Sequence, residues 1–117
     1  MEDESRTPQE VFAHHGEAMV AKDLEAIASD YSEDAIFITA DGVLHGRDGV
    51  RRGFEKLLAD LPEASYEMRT QIFEQDVLLL EWTAECAGVR VEDGTDTLIF
   101  RDGLIRAQTV RYTLIPK

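Results

Sequence analysis

The sequence predicts an α+β fold, with three N-terminal helices packed on one face of a curved, mostly antiparallel sheet. Apolar residues recur at the helical period in three segments before residue 62, and from residue 65 onward they alternate at the period of a strand. Helices first and a run of strands afterwards is the order expected when helices are segregated to one side of a sheet. A chain of 117 residues is the length of one domain. Residues 1–6 read as a polar, disordered tail and residues 7–117 as the folded unit.

Thr7-Pro8-Gln9-Glu10 starts the first helix, with Thr7 as N-cap, Pro8 at N1 and Glu10 at N3 closing a capping box. Val11, Phe12, His15, Ala18 and Met19 share one face and carry this helix to about Lys22. Asp23 caps a short second helix, whose stripe is Leu24, Ile27, Ala28 and Tyr31. Residues 35–40, AIFITA, form a near-continuous apolar run, the pattern of a strand covered on both faces. The Asp41-Gly42 turn then leads to Asp48 as the cap of a third helix. Its stripe is Val50, Phe54, Leu57, Leu58 and Leu61, and Pro62 stops it.

Beyond Pro62 the period changes. Tyr66, Met68, Thr70 and Ile72 alternate, and Leu78, Leu80, Trp82, Ala84 and Cys86 alternate against Leu79, Glu81, Thr83 and Glu85. The segments TDTLIF and LIRAQTVRYTLI are joined by Asp102-Gly103, a strong hairpin signal, which completes a four-stranded meander. With a two-residue turn there, Phe100 faces Ile105 and Leu98 faces Ala107. Continued unbroken, that register turns Thr109, Arg111 and Thr113 inward and expels Val110 and Tyr112. A bulge near Ala107–Thr109 is expected, because it returns the apolar side to the core.

Composition narrows the partners. The chain carries 24 acidic and 12 basic residues, a formal charge of −12, which repels nucleic-acid phosphates and anionic lipid surfaces. No apolar run approaches the ~20 residues of a membrane span. The acidic start MEDESRTPQE resembles neither a signal nor a transit peptide, so the expected location is cytoplasmic. The single cysteine, Cys86, excludes an internal disulfide and a Cys-rich zinc site. His14, His15 and His45 lack a metal-ligand spacing, and no metal or cofactor is expected.

Asp96 stands out. It continues the face of Leu98 and Phe100, and a carboxylate on a core face is costly unless it is partnered or used. Two readings are open: an acid/base group whose pKa burial raises towards neutrality, or a strand-start residue bonded to turn amides. His15, one turn from both Phe12 and Met19, is either a hydrogen-bonded core residue or the partner of Asp96 across a cavity. Tyr31, Phe37, Thr39, Trp82, Phe100, Gln108 and Tyr112 are the candidate ligand contacts, with plain core packing as the alternative for the aromatic ones. Of these, Trp82 and Tyr112 are favoured for ligand contact because each has a polar atom that needs a partner. His14 reads as an edge residue and His45 as part of a loop feeding the third helix.

The segments AKDLEAIASDYSEDAIFI (21–38), GVLHGRDGVRRGF (42–54) and GTDTLIFRDGLI (94–105), in this element order, resemble the nuclear transport factor 2-like superfamily. That group includes SnoaL-like polyketide cyclases and ketosteroid isomerases. The resemblance implies a cystatin-like, conical half-barrel with an internal, largely apolar pocket, and homodimers through the outer sheet face. Leu79 and Ile99, on strand faces turned from the pocket, agree with such a dimer. Matched position by position to a ketosteroid isomerase, Asp96 falls on the aspartic acid of the oxyanion hole and His15 on the tyrosine donor. The catalytic base falls on Thr39, which cannot serve as a base near neutral pH.

The resemblance implies a protein that takes a small, largely apolar molecule. As an enzyme it would use cofactor-free acid/base chemistry of the isomerase or cyclase type on a carbonyl or polyketide-like substrate, with Asp96 and His15 catalytic. The alternative is a non-catalytic ligand-binding or dimerisation module, and a third reading is a protein-interaction adaptor. They differ in geometry: an enzyme needs an open cavity with Asp96 facing His15, a binding module needs a cavity without that pair, and an adaptor needs a filled one.

Overall fold

The structure is a computed structural model, and it describes residues 6–117. The elements are α1 (Pro8–Ala21), α2 (Leu24–Ser29), β1 (Tyr31–Thr39), β2 (Gly42–His45), α3 (Gly46–Asp60), β3 (Ser65–Glu74), β4 (Val77–Glu85), β5 (Val89–Arg101), β6 (Leu104–Arg111) and β7 (Ile115–Pro116). Six strands lie in the order β2-β1-β6-β5-β4-β3, and β7 adds to β5. Only β1 and β6 run parallel; every other pair is antiparallel. After α3 the chain enters the far edge at β3 and meanders back until β6 lies against β1. The sheet is curved and open, with the helices on one side.

Local chemistry explains the helix ends. Thr7 Oγ1 accepts from the Glu10 amide at 3.1 Å and Glu10 Oε1 from the Thr7 amide at 2.8 Å, so the capping box is formed. Asp23 Oδ1 caps α2 by accepting from the Ala26 amide at 3.1 Å. The third helix departs from expectation. It starts at Gly46, its N-cap is His45 without a side-chain bond, and Asp48 sits in the first turn paired to Arg51 at 2.6 Å. The chain enters α3 directly from β2, a strand concealed in the sequence by its four-residue length and by the turn residues before it.

Two other expectations shift. Tyr31 begins β1 instead of ending α2, because Asp30 closes that helix and its carbonyl accepts from the Ile105 amide at 2.7 Å. β1 is covered on one face only: Phe37 is buried while Ile38, on the convex side, is 41% exposed. The predicted tail ends in an anchored residue. Arg6 donates to Asp30 Oδ1 at 3.1 Å and to the Gly103 carbonyl at 2.7 Å, while the rest of that tail, residues 1–5, lies outside the described residues.

The meander follows its alternation. Leu78, Leu80, Trp82 and Ala84 of β4 are buried on the concave face, while Leu79 and Val77 remain partly exposed on the other. The Asp102-Gly103 turn has positive φ at both residues, 53° and 75°, which suits the right-handed twist of the strands it joins. The bulge sits at Arg106, one residue earlier than expected: Phe100 faces Ile105, Ile99 faces Ala107 and Leu98 faces Gln108. That one extra residue turns Gln108 and Val110 onto the concave face, where they are 2% and 4% exposed.

The core lies between this face and the helices, and Phe54 of α3 is its hub. Its ring is 5.3 Å from Phe37, 5.4 Å from His15 and 6.1 Å from Tyr31. The neighbouring Gly53 allows α3 to come this close, since a Cβ there would meet the Phe37 ring at 2.5 Å.

Candidate functional site

The concave face carries a closed polar network. Trp82 Nε1 donates to Asp96 Oδ1 at 3.0 Å, and Gln108 Nε2 donates to Asp96 Oδ2 at 2.9 Å. Tyr31, which is fully buried, donates its hydroxyl to Gln108 Oε1. Strand register makes this possible. Asp96 lies opposite Leu80 on β4 and Val110 on β6, with Trp82 one concave position along β4 and Gln108 one along β6. Gly94, opposite Trp82, leaves room for the indole, because a Cβ there would meet it at 2.3 Å.

Asp96 is buried, at 8% exposure, and among the described residues no cation pairs with it. Burial pushes its carboxyl up to about 6, against the hydrogen bonds from Trp82 and Gln108, which favour the ionised form. Burial also holds the Tyr31 hydroxyl well above its usual value, and the nearby Asp96 charge adds to that, so Tyr31 is a donor throughout the physiological range.

His15 takes no part in this network. It is packed among Phe12, Tyr31 and Phe54, and its Nδ1 has no hydrogen-bond partner. Burial pushes the imidazole down to about 4, outweighing the opposing charge of Asp30. The ring is therefore neutral near pH 7 and cannot act as a cation. The expected Asp96–His15 pair does not form: Trp82 and Gln108 already occupy both carboxylate oxygens. His14, expected at an edge, has a half-exposed side chain and places Nδ1 2.7 Å from Asp30 Oδ2, and Asp30 is 1% exposed and also bound by Arg6.

The cavity lies elsewhere. A space of about 680 Å³ opens between α3, the β1–β2 hairpin and the end of β6. Phe37, Leu57 and Val110 form its buried lining, and Val43, Arg52 and Leu114 are exposed at its rim. Of the candidate ligand contacts, Phe37, Thr39 and Tyr112 are in this wall, whereas Tyr31, Trp82, Phe100 and Gln108 are buried outside it, Phe100 beside a separate cleft with Val11 and Asp76. Asp96 is also outside the wall. Its cross-strand partner Val110 stands in the wall, together with Tyr112, whose ring lies 5.7 Å from that of Trp82.

The polar centre of the wall is Asp60, which the sequence did not single out. Tyr112 donates its hydroxyl to Asp60 Oδ2 at 2.8 Å, Lys56 Nζ donates to the same oxygen at 2.8 Å, and Lys56 also lies 3.7 Å from Asp41. Burial works to raise the Asp60 carboxyl, but the bonds from Lys56 and Tyr112 outweigh it and hold the pKa below the usual value. The Tyr112 hydroxyl is raised by burial and by Asp60. In sequence, Lys56 and Asp60 read as an ordinary exposed pair four residues apart on a helix. Thr39 Oγ1 accepts from the Asp41 amide at 3.1 Å, so it serves the hairpin turn.

A curved, open seven-stranded sheet with the helices on one side places the chain among mixed α+β folds. The sequence model of the SnoaL-like domain matches residues 12–108, and the chain belongs to that family. Solved structures share the fold at low identity. An NTF-2 like protein of unknown function from Burkholderia xenovorans is 19% identical, over 91% of this chain and 82% of that one, with a TM-score of 0.75. A protein with a ketosteroid isomerase-like fold from Catenulispora acidiphila, in complex with trimethylamine, is 16% identical over 92% and 88%, with a TM-score of 0.72. A protein with a cystatin-like fold from Methylobium petroleophilum is 13% identical over 91% and 75%, with a TM-score of 0.71. No curated protein sequence matches the chain. Among the described residues, no helix is long and apolar enough to cross a membrane.

Proposed function

We propose that this chain binds a small, largely apolar molecule in the cavity beside α3, as a non-catalytic member of the SnoaL-like family. One observation carries this: the cavity is lined by Phe37, Leu57, Val110 and Tyr112, while Asp96 and His15 lie outside its lining and are not bonded to each other. Its volume of about 680 Å³ suits a drug-sized molecule. Calorimetric titration with polycyclic ketones tests the reading. Binding is expected, Leu114→Trp at the rim should weaken it by about tenfold or more, and Asp96→Asn should leave it unchanged. Binding that is indifferent to Leu114→Trp would refute the assignment.

A second reading, cofactor-free isomerase or cyclase chemistry through Asp96, draws support from the carboxyl raised to about 6 one layer behind the wall. In it, Asp96 exchanges a proton with a carbonyl substrate that displaces Tyr112, and Asp96→Asn abolishes turnover while sparing binding. The half-exposed Leu79, Val77, Ile72 and Ile99 on the convex face support a homodimer through that face.

A further inference from the structure

Resting on that cavity assignment, the charges around the rim point to a ligand class. Five ionisable side chains stand in the lining: Asp41, Asp60, Arg52, Lys56 and Arg111. Lys56 is matched by Asp60 and Asp41. Arg111 ends β6 in the lining, and its charge also acts on Asp93 of the neighbouring strand β5. Arg52 sits on α3 one turn before Lys56 and next to Gly53, on the stripe that forms the cavity wall. Among the described residues it has neither a carboxylate within ion-pairing distance nor a hydrogen-bond acceptor.

Few cations share that state: among the described residues only Arg101 and Arg111 also lack an ion pair. Acids outnumber bases by 24 to 12, and most cations are taken: Arg51 by Glu25 and Asp48, Arg90 by Glu92, Arg106 by Asp34, Lys22 by Glu63. An arginine left unmatched at the mouth of an apolar cavity presents a planar set of donors that none of the described residues satisfies. We infer that the ligand is an apolar ring compound carrying one anionic group, a carboxylate or its equivalent, which Arg52 holds at the rim while the rings occupy the space between Phe37, Leu57 and Tyr112. The Lys56–Asp60–Tyr112 cluster, already satisfied internally, forms neutral wall beside it. The net charge of −12 disfavours any anion at long range, so recognition of this kind must be local.

Two fluorescent probes with one ring skeleton test this: anilinonaphthalene sulfonate, which is anionic, and N-phenylnaphthylamine, which lacks the sulfonate. Each is titrated into the wild type, Arg52→Gln and Leu114→Trp. Arg52→Gln should weaken the sulfonate by about fivefold and leave the neutral probe unchanged, while Leu114→Trp weakens both. If Arg52→Gln shifts both probes equally, or neither, while Leu114→Trp still weakens both, the anionic-ligand inference is overturned and the cavity assignment stands. If Leu114→Trp affects neither probe, the cavity assignment fails and this inference fails with it.

Discussion

Replacing Asp96 by asparagine removes the one carboxylate that, among the described residues, is buried against neutral donors alone. The amide can enter the same network if Gln108 flips. Asn Oδ1 accepts from Trp82, Asn Nδ2 donates to Gln108 Oε1, and Gln108 Nε2 donates to the Tyr31 oxygen, which leaves the Tyr31 hydroxyl hydrogen without its native acceptor at a cost that does not vary with pH. The fold should therefore survive, and the effect should be electrostatic. In the native protein the carboxyl rises from 3.8 to about 6, so the folded state holds this proton more tightly than the unfolded chain does. The native state then binds more protons between those values, and its stability falls as pH rises through them. At about 1.4 kcal/mol for each tenfold change in proton affinity, ionising Asp96 costs the folded state about 3 kcal/mol by pH 7.5. The stability of Asp96→Asn minus that of the wild type should accordingly climb by roughly 2–3 kcal/mol from pH 4 to pH 7.5 and then level off. Urea unfolding at fixed chain concentration, followed by far-ultraviolet circular dichroism at several pH values, measures it, and contributions from other titrating groups cancel in the difference. A difference flat to within about 0.5 kcal/mol would mean that Asp96 titrates as an exposed carboxylate does, and the buried, cation-free site would be refuted.

Phe54→Ala should cost about 3–5 kcal/mol in the same melts, because it empties the contact of α3 with Phe37, His15 and Tyr31; a loss below about 1 kcal/mol would remove Phe54 from the core. His15 should remain a neutral imidazole in nuclear magnetic resonance titrations down to about pH 5, since burial lowers it to about 4. Its folded-state value lies below 6.5, so its contribution to stability is lost as pH falls from there towards 4; a midpoint near 6.5 would contradict its burial. Light scattering at micromolar concentration should show a dimer burying roughly 1,200–2,000 Å², and Leu79→Lys should shift it towards monomer; a wild-type monomer would exclude the convex-face interface.

Much of this architecture was legible in the amino-acid sequence, because the signals behind it act over a few residues. The Thr7–Glu10 capping box, the Asp23 cap, the stop before Pro62, the Asp102-Gly103 hairpin and the alternation of β4 each rest on the chemistry of near neighbours, and each is present in the structure. The burial of Asp96 was legible for the same reason: strand alternation places it with Leu98 and Phe100. Its partners were not. They depend on an extra residue at Arg106 that turns Gln108 inward, and on a register that sets Trp82 opposite Gly94. Which of the candidate residues line the cavity was not legible, because that depends on how closely α3 approaches β1, where Gly53 meets Phe37, and carries no periodic signal. Only tertiary packing brings Asp60 from the end of α3 to Tyr112 at the end of β6, 52 residues later, and makes an ordinary helix pair part of a cavity wall. Local propensities settle which elements form, whereas contacts between residues far apart in the chain settle which side chains meet.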